Sequence, residues 1–306
     1  MAMVNSAQAH DAAAAFGTVG TAMVTPFSAS GEVDYDTAEA LAAHLVDLGN
    51  DMLVISGTTG ESPTTTDAEK SELLTAARRG AGDRAKLVAG VGTNNTTHSI
   101  ELAQQARDAG ADGLLLVTPY YSKPPQDAII THMRAVADAT DLPVMLYDIP
   151  GRSSVPLEPA TLAALDSHPN ILAVKDAKGD IASALQVMSN TGLAYYSGED
   201  ALNLPLMSCG AIGVVSVAGH ICADRLAQMT EYVGTNDLNA ARDVAAGLVS
   251  LIDAIMNHMP GAISAKAALQ LQGVLPTRAT RLPLLEASED QVEFLRREMT
   301  RSGYLT

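Results

Sequence analysis

The stretches "LGNDMLVI" at residues 48–55 and "AGADGLLL" at residues 109–116 repeat one pattern. In each, a helix-ending glycine, Gly49 or Gly110, is followed by an aspartate and then by a short apolar run. Glycine readily adopts the left-handed backbone conformation that ends many helices. The pattern therefore predicts two copies of a unit in which a helix leads directly into a buried strand.

Similar apolar runs recur along the chain with little polar alternation, which is typical of parallel strands buried on both faces. They occupy residues 21–27, 52–57, 86–92, 113–119, 143–150, 171–175, 193–198 and 213–219. Amphipathic helix patterns lie between them, and Leu41, Leu45 and Leu48 form one such apolar stripe. Asp34 and Asp36 precede this stripe and are candidates for its helix cap.

Eight βα units spaced by roughly 20 to 35 residues predict an α/β fold of the (β/α)8 or TIM-barrel type. A doubly wound sheet would usually carry a GxGxxG loop after its first strand, and "TPFSASGEVD" at residues 25–34 has none. Helix patterns alone follow residue 222, which predicts a small C-terminal helical extension. We expect a loose N-terminal leader over residues 1–15, a catalytic barrel over 16–235 and a C-terminal helical domain over 236–306.

The composition narrows the possible partners and the compartment. The 306 residues are 47% hydrophobic and carry a formal net charge of −16 without a basic cluster, which disfavours nucleic acid and anionic membranes as partners. No apolar run is long enough to predict a membrane span. The two cysteines, Cys209 and Cys222, are too few for a disulfide framework and indicate the cytoplasm. The scattered histidines predict no metal site.

In a barrel of this type the catalytic groups lie at the C-terminal ends of the strands and in the loops that follow. Here those segments are "SGTTGES" (56–62), "TPYYSKP" (118–124), "YDIPGRS" (147–153), "KDAKGD" (175–180), "SGED" (197–200) and "SVAGH" (216–220). We therefore expect the functional residues among them.

Lys175 ends one of the apolar runs, where side chains alternate between the barrel interior and the helices. If Lys175 points inward, Ala173 and Ile171 do so too, and Tyr147 faces the same interior above Met145. Apolar surroundings lower the pKa of an amine, and a free amine can form a Schiff base with a ketone. A tyrosine beside it could carry protons. Alternatively, Lys175 is merely the first solvated residue after a strand.

Three further residues are weaker candidates when each is taken alone. Thr58 and Thr59 lie between glycines, where exposed amides could hold a small carboxylate, although an ordinary polar turn fits equally well. Arg152 is the one arginine in these loops and could bind a carboxylate bidentately, or form a surface ion pair. Lys178 lies in a turn beside a glycine, and we expect it to be a replaceable surface charge.

The set GTTGE, TPYY, YDIPGRS, a lysine ending the sixth strand and SGED, in this order, closely resembles the dihydrodipicolinate synthases. These belong to the pyruvate-dependent class I aldolases, and the resemblance spans residues 16–304. It implies condensation of pyruvate with L-aspartate 4-semialdehyde, giving 4-hydroxy-tetrahydrodipicolinate in the diaminopimelate route to lysine. It implies no cofactor. Other Schiff-base aldolases, such as N-acetylneuraminate lyase or a 2-keto-3-deoxy sugar acid aldolase, are the alternative, together with a silent family member.

The resemblance also implies residue roles. Lys175 would form the imine, and a proton relay would link it to Tyr147, Thr58 and a Tyr121 contributed by a neighbouring subunit. The remaining substrate-binding residues would be Thr59 for the pyruvate carboxylate, Val215 and Gly198 for the pyruvate pocket, and Arg152 for the semialdehyde carboxylate. A shared tyrosine requires at least a dimer, and the family suggests a homotetramer built as a dimer of dimers.

One region departs from the family pattern. Relatives inhibited by lysine carry two histidines and a glutamate in a regulatory cleft, where this chain has Asp67, Lys70 and His98. Asn94 and Tyr120 match the pattern. The resemblance therefore does not carry lysine inhibition over to this chain.

Overall fold

The computed structural model describes residues 6–305, and its centre is a closed barrel of parallel strands. Each strand pairs with the next one along the chain, and the last pairs with the first. The strands are β1 (Val19–Ala22), β2 (Met52–Ile55), β3 (Lys86–Gly90), β4 (Gly113–Val117), β5 (Val144–Asp148), β6 (Ile171–Asp176), β7 (Ala194–Ser197) and β8 (Gly213–Ser216). The predicted barrel is confirmed.

Helices surround the strands and extend the chain beyond them. They are α1 (Ser6–Phe16), α2 (Tyr35–Asp47), α3 (Asp67–Ala81), α4 (Thr96–Asp108), α5 (Gln126–Ala137), α6 (Pro150–Ser153), α7 (Pro159–Leu165), α8 (Ile181–Asn190), α9 (Asn203–Ser208), α10 (Gly219–Gly234), α11 (Leu238–Met256), α12 (Gly261–Leu271) and α13 (Glu289–Arg301). The last three form the predicted C-terminal extension, and the expected domain boundary falls between α10 and α11. No helix within residues 6–305 is long and apolar enough to cross a membrane.

In both copies of the repeated pattern, the glycine follows the end of a helix and the aspartate accepts hydrogen bonds from a neighbouring strand. Gly49 and Gly110 have φ angles of 110° and 88°, as expected of glycines that follow a helix end. Asp51 accepts hydrogen bonds from the backbone N–H groups of Thr18 and Val19, and Asp112 accepts one from Leu87. Each aspartate thus satisfies donors at the beginning of a neighbouring strand, which fixes the strand register from the N-terminal end of the barrel.

The N-terminal segment is not a loose leader where the structure describes it. Helix α1 places Ala12 and Phe16 inside the barrel's own apolar core, at zero exposure. Tyr196 of β7 donates a hydrogen bond of 2.8 Å to the carbonyl of Gly17, and its ring meets that of Phe16 edge-on. The alanine-rich sequence lacks a strong amphipathic pattern, so packing against the barrel end, and not local periodicity, keeps this helix in place.

Two details of the strands differ from the sequence-based expectations. Strand β1 ends at Ala22 instead of residue 27, because Pro26 lacks an amide donor and Val24 donates its N–H to the His220 ring. The register between β5 and β6 shifts after Val144, so that Met145 faces Ala173 and Ile171 faces Val144. Ile171 consequently packs in the outer layer between strands and helices, and the prediction that it points inward is wrong.

Candidate active site

Lys175 and Tyr147 are direct neighbours on β6 and β5, and both point into the barrel at its C-terminal end. The Lys175 ammonium nitrogen lies 4.2 Å from the centre of the Tyr147 ring. Ala173 and Met145 lie beneath them in the interior core. An amine 4% exposed therefore stands beside a phenol at the barrel mouth.

The surroundings of Lys175 favour its neutral form. Burial is the largest influence and lowers the pKa of this amine from 10.5 to about 8. The Asp200 carboxylate opposes the shift, whereas the Arg152 guanidinium adds to it. About a tenth of the amine is thus unprotonated at pH 7, far more than in an ordinary lysine, and this is the form that attacks carbonyl carbon.

Tyr147 is held in its neutral, proton-donating form. Burial raises the pKa of its hydroxyl to about 12, and the Thr58 side chain and the Arg152 charge counteract part of that rise. A neutral phenol can donate one proton and accept another through its oxygen. Thr58, Tyr147 and Lys175 together could therefore pass protons between a bound molecule and solvent.

Gly198 and Val215 shape the space around the amine. A β-carbon at Gly198 would lie 2.9 Å from both Cγ and Cε of Lys175, so a glycine is needed for the lysine stem to pass. Val215 on β8 is buried in the interior core that also contains Tyr147. Gly198 lies immediately after β7 against the lysine stem, and Val215 lies on β8.

The loop after β2 has an unusual backbone that exposes one threonine and buries the other. Ser56 and Glu61 adopt left-handed conformations with φ of 57° and 55°. Thr58 is exposed to the cleft, whereas Thr59 is buried. Non-glycine residues take such conformations at a cost, which the surrounding contacts must offset.

The contacts that hold Glu61 come from the C-terminal extension. Lys266 of α12 forms a buried ion pair with Glu61, and its ammonium nitrogen also lies 4.1 Å above the Phe27 ring. The backbone N–H of Arg281 donates to the other Glu61 oxygen at 3.0 Å. The Arg281 side chain continues to the carbonyl of Thr64. The extension therefore fixes the loop that carries Thr58 and Thr59.

Asp200 is a functional candidate that the sequence reasoning missed. Its carboxylate accepts hydrogen bonds from Ser216 and from the backbone N–H groups of Val217 and Ala218, and it is buried. It is also the anion that most raises the pKa of Lys175. The segment "SGED" did place two acids at a strand end, but only the fold shows that the second turns inward.

Arg152 lies on the short helix α6 and is exposed. Together with Thr58 and Tyr147 it lines a cleft of about 520 Å³ at the C-terminal end of the barrel. Its guanidinium faces this cleft and is near enough to Lys175 to lower the pKa of that amine, so it could bind an anion that enters the cleft.

Tyr121 is the one predicted residue that stands apart from the others within this chain. It is 86% exposed and has a left-handed backbone with φ of 73°. A left-handed backbone is uncommon for a bulky residue and marks a strained position. No contact between this tyrosine and Lys175 exists within the described part of the chain.

The position of Lys178 contradicts the prediction that it is a surface charge. Its side chain is only 12% exposed, and its ammonium nitrogen lies 3.3 Å from a carboxylate oxygen of buried Asp148. The short turn after β6 brings the lysine back against the barrel, where it pairs with Asp148 of the adjacent strand β5. It is a largely buried ion-pair partner, so the prediction of a surface charge is wrong.

Asp67, Lys70 and His98, which depart from the pattern of the lysine-inhibited relatives, lie together in the lining of the same cavity. His98 and Asp67 are joined by a 2.9 Å hydrogen bond, and Lys70 lies 3.7 Å from the other oxygen of Asp67. Within residues 6–305 no group of histidine, cysteine, aspartate and glutamate side chains could hold a metal ion.

Comparison with known proteins gives one consistent result. Residues 15–301 match the dihydrodipicolinate synthetase family. A 4-hydroxy-tetrahydrodipicolinate synthase from Kineococcus radiotolerans is 54% identical, with 94% of both chains covered. One from Mycolicibacterium paratuberculosis is 52% identical, covering 96% of this chain and 98% of the relative.

Solved structures agree with the sequence comparison. The dihydrodipicolinate synthase from Cyanidioschyzon merolae, solved with lysine bound, has a TM-score of 0.90 and 42% identity, covering 95% of this chain and 99% of the other. That from Thermotoga maritima has a TM-score of 0.91 and 34% identity, covering 95% and 99%. The barrel, the buried lysine beside a tyrosine and these matches along almost the whole sequence establish that the chain belongs to the dihydrodipicolinate synthetase family.

Proposed function

We infer that the chain is a 4-hydroxy-tetrahydrodipicolinate synthase, which condenses pyruvate with L-aspartate 4-semialdehyde in the diaminopimelate route to lysine. The observation that carries this inference is the buried amine of Lys175 beside Tyr147, in a chain 54% identical to a synthase of that name. Arg152 favours this substrate pair over the aldolases of sugar acids, because it offers a second carboxylate site above the lysine.

The proposed reaction begins when neutral Lys175 attacks the keto carbon of pyruvate. Tyr147 protonates the former keto oxygen, which leaves as water, and the imine forms. Loss of a proton from the methyl carbon gives an enamine, whose carbon attacks the aldehyde carbon of the second substrate; the aldehyde oxygen takes up a proton to become a hydroxyl group, and the imine is restored. The amino group of that substrate then adds to the imine carbon, which closes the ring and returns the lysine as a free amine.

Other residues bind the reactants in this scheme. The Thr59 hydroxyl and the Thr58 backbone hold the pyruvate carboxylate, while Gly198 and Val215 bound its pocket. Thr58 connects Tyr147 to Tyr121 of a second copy, which completes the proton relay. The exposure of Tyr121 supports this sharing between subunits, and we propose a homotetramer built as a dimer of dimers. The free cysteines support a cytoplasmic enzyme.

The test is borohydride reduction in the presence of pyruvate, peptide mass mapping and an assay with L-aspartate 4-semialdehyde. The proposal expects one pyruvate-derived adduct on Lys175 and consumption of the semialdehyde. An adduct on Lys175 without consumption of the semialdehyde would favour another pyruvate aldolase. No adduct at all would indicate a catalytically silent family member and would overturn the mechanism.

Arg152→Ala should impair use of the semialdehyde far more than imine formation. A lost charge-assisted hydrogen bond to a carboxylate corresponds to roughly a 10- to 100-fold fall in kcat/KM for the semialdehyde. Above about pH 9, where most of the Lys175 amine is unprotonated in both proteins, the rate of adduct formation should change little. Arg107→Ala on α4, which also removes an exposed arginine, is the matched control. Equal losses in adduct formation and condensation would contradict the assigned role of Arg152.

The rate of adduct formation with pyruvate should rise with pH and level off above about 8. Below the Lys175 pKa of about 8 the ammonium form dominates, so the rate should change about tenfold per pH unit between pH 6 and 7. Quenching samples with borohydride and measuring intact mass gives the rate. Because the Arg152 charge lowers this pKa, Arg152→Met should move the rise to higher pH. A rise centred near 10.5 would show an unperturbed lysine.

A further inference from the structure

Lys178 and Asp148 form a largely buried ion pair that joins the turn after β6 to the end of β5. The ammonium nitrogen of Lys178 lies 3.3 Å from one Asp148 oxygen, with the carboxylate only 1% exposed. The same nitrogen donates to the Ser183 hydroxyl at 3.1 Å. Asp148 follows Tyr147 on β5 and therefore points to the outer side of the barrel, and Lys178 contacts it from the turn after β6.

Asp148 also closes the segment that carries Arg152. That segment leaves the barrel at Asp148, forms α6 and returns at Leu157, whose backbone N–H donates to the second Asp148 oxygen at 3.0 Å. The carbonyl of Asp148 accepts from the N–H of Ala177 at 2.9 Å. Both ends of the segment 149–156 are therefore attached to one residue, which restricts the positions that Arg152 can take.

The charge of Lys178 supports this attachment. Burial raises the pKa of Asp148 to about 6, and the Leu157 N–H followed by the Lys178 ammonium group counteract the rise. The neighbouring Asp176 carboxylate adds repulsion, and its own oxygen accepts the backbone N–H of Lys178 at 2.9 Å. A charged carboxylate holds an N–H donor more strongly than a neutral acid does, so the cation stabilises the loop contact.

We propose that Asp148 and Lys178 are positioning residues that hold the 149–156 segment so that Arg152 faces the carboxylate of the second substrate. They touch neither substrate and act through Arg152 alone. This inference rests on the proposed function, since it concerns the substrate that arrives after pyruvate has bound to Lys175.

The experiment compares Lys178→Met and Lys178→Arg with wild-type enzyme in two assays. We expect Lys178→Met to raise KM for the semialdehyde about tenfold or more, while the rate of pyruvate adduct formation stays within about twofold. Lys178→Arg keeps the cation and should return KM to within about threefold of wild type. Lys86→Met removes a lysine from the opposite end of the barrel, at the beginning of β3, and should leave both measurements unchanged.

Asp148→Asn is the second variant, since it keeps the side-chain shape but removes the charge that Lys178 neutralises. Like Lys178→Met, it should raise KM for the semialdehyde, and it serves as the test if Lys178→Met fails to fold. An unchanged KM would overturn the positioning role, and so would a fall in the rate of adduct formation as large as the rise in KM. Absence of an adduct on Lys175 in the wild-type enzyme would overturn the proposed function and this inference with it.

Discussion

Lys175→Met is expected to abolish the pyruvate adduct and to lower kcat/KM for condensation by roughly 10⁴- to 10⁶-fold, the scale on which loss of a catalytic nucleophile acts. Methionine fills a similar volume but has no amine, so neither the imine nor the enamine can form. Borohydride trapping with mass mapping measures the first effect, and the semialdehyde assay measures the second.

The same substitution should not destabilise the protein. The pKa of Lys175 lies below its ordinary value mainly because burial disfavours the ammonium form, and methionine removes that cost. A thermal midpoint equal to or above that of wild type would therefore accompany the loss of activity, as expected where function and stability conflict. Lys175→Arg adds a second comparison, since it keeps a cation but supplies no nucleophile.

Lys86→Met controls for the loss of a lysine outside the site and should leave trapping and condensation unchanged. If Lys175→Met still gave a pyruvate adduct on another lysine and retained condensation, the Schiff-base assignment would be wrong. If its thermal midpoint fell by many degrees, the activity loss would have to be attributed to unfolding instead.

The parts of the fold that the sequence predicted are those that depend on local patterns. Continuous apolar runs identified every barrel strand, and the glycine before an aspartate located two helix ends. Parity along β6 placed Lys175 and Ala173 correctly but failed at Ile171, because the shift in register after Val144 has no local sequence signal. Helix α1 was missed for a related reason, since its stability comes from contacts with the barrel end.

In the candidate site, too, some positions followed from local sequence patterns and others did not. The position of Lys175 at a strand end and of Tyr147 on the next strand followed from spacing. In contrast, Lys178 and Asp200 are shielded from solvent by partners at the ends of other strands, which a turn sequence does not reveal. Residues in flexible-looking turns thus need the fold before their burial can be assigned.

Long-range pairs were the hardest to anticipate, and the Glu61–Lys266 pair is separated by 205 positions in the sequence. Lys266 lies within the helix pattern of α12, where a single lysine on an alanine-rich helix indicates solvent exposure. In the structure it is fully buried against the loop after β2. The C-terminal extension therefore contributes directly to the conformation of the Thr58 and Thr59 loop.

Lys266→Met should consequently lower the free energy of unfolding by about 3–5 kcal/mol, because it leaves the Glu61 carboxylate buried without its cation. Urea unfolding at matched protein concentration measures this change, since the stability of an oligomer depends on concentration. We also expect KM for pyruvate to rise, because the left-handed backbone at Glu61 depends on this pair. Lys86→Met should alter the unfolding free energy by no more than about 0.5 kcal/mol.

A double-mutant cycle separates the ion pair from general damage to α12. Glu61→Gln combined with Lys266→Met removes both charges, so the double variant should be less destabilised than the sum of the single variants by about 1–3 kcal/mol. Additive effects would mean that Lys266 acts through its contacts with Ala279 and Phe27 and not through Glu61. A single variant as stable as wild type would contradict the anchoring of the threonine loop altogether, because an uncompensated buried carboxylate cannot be neutral in energy.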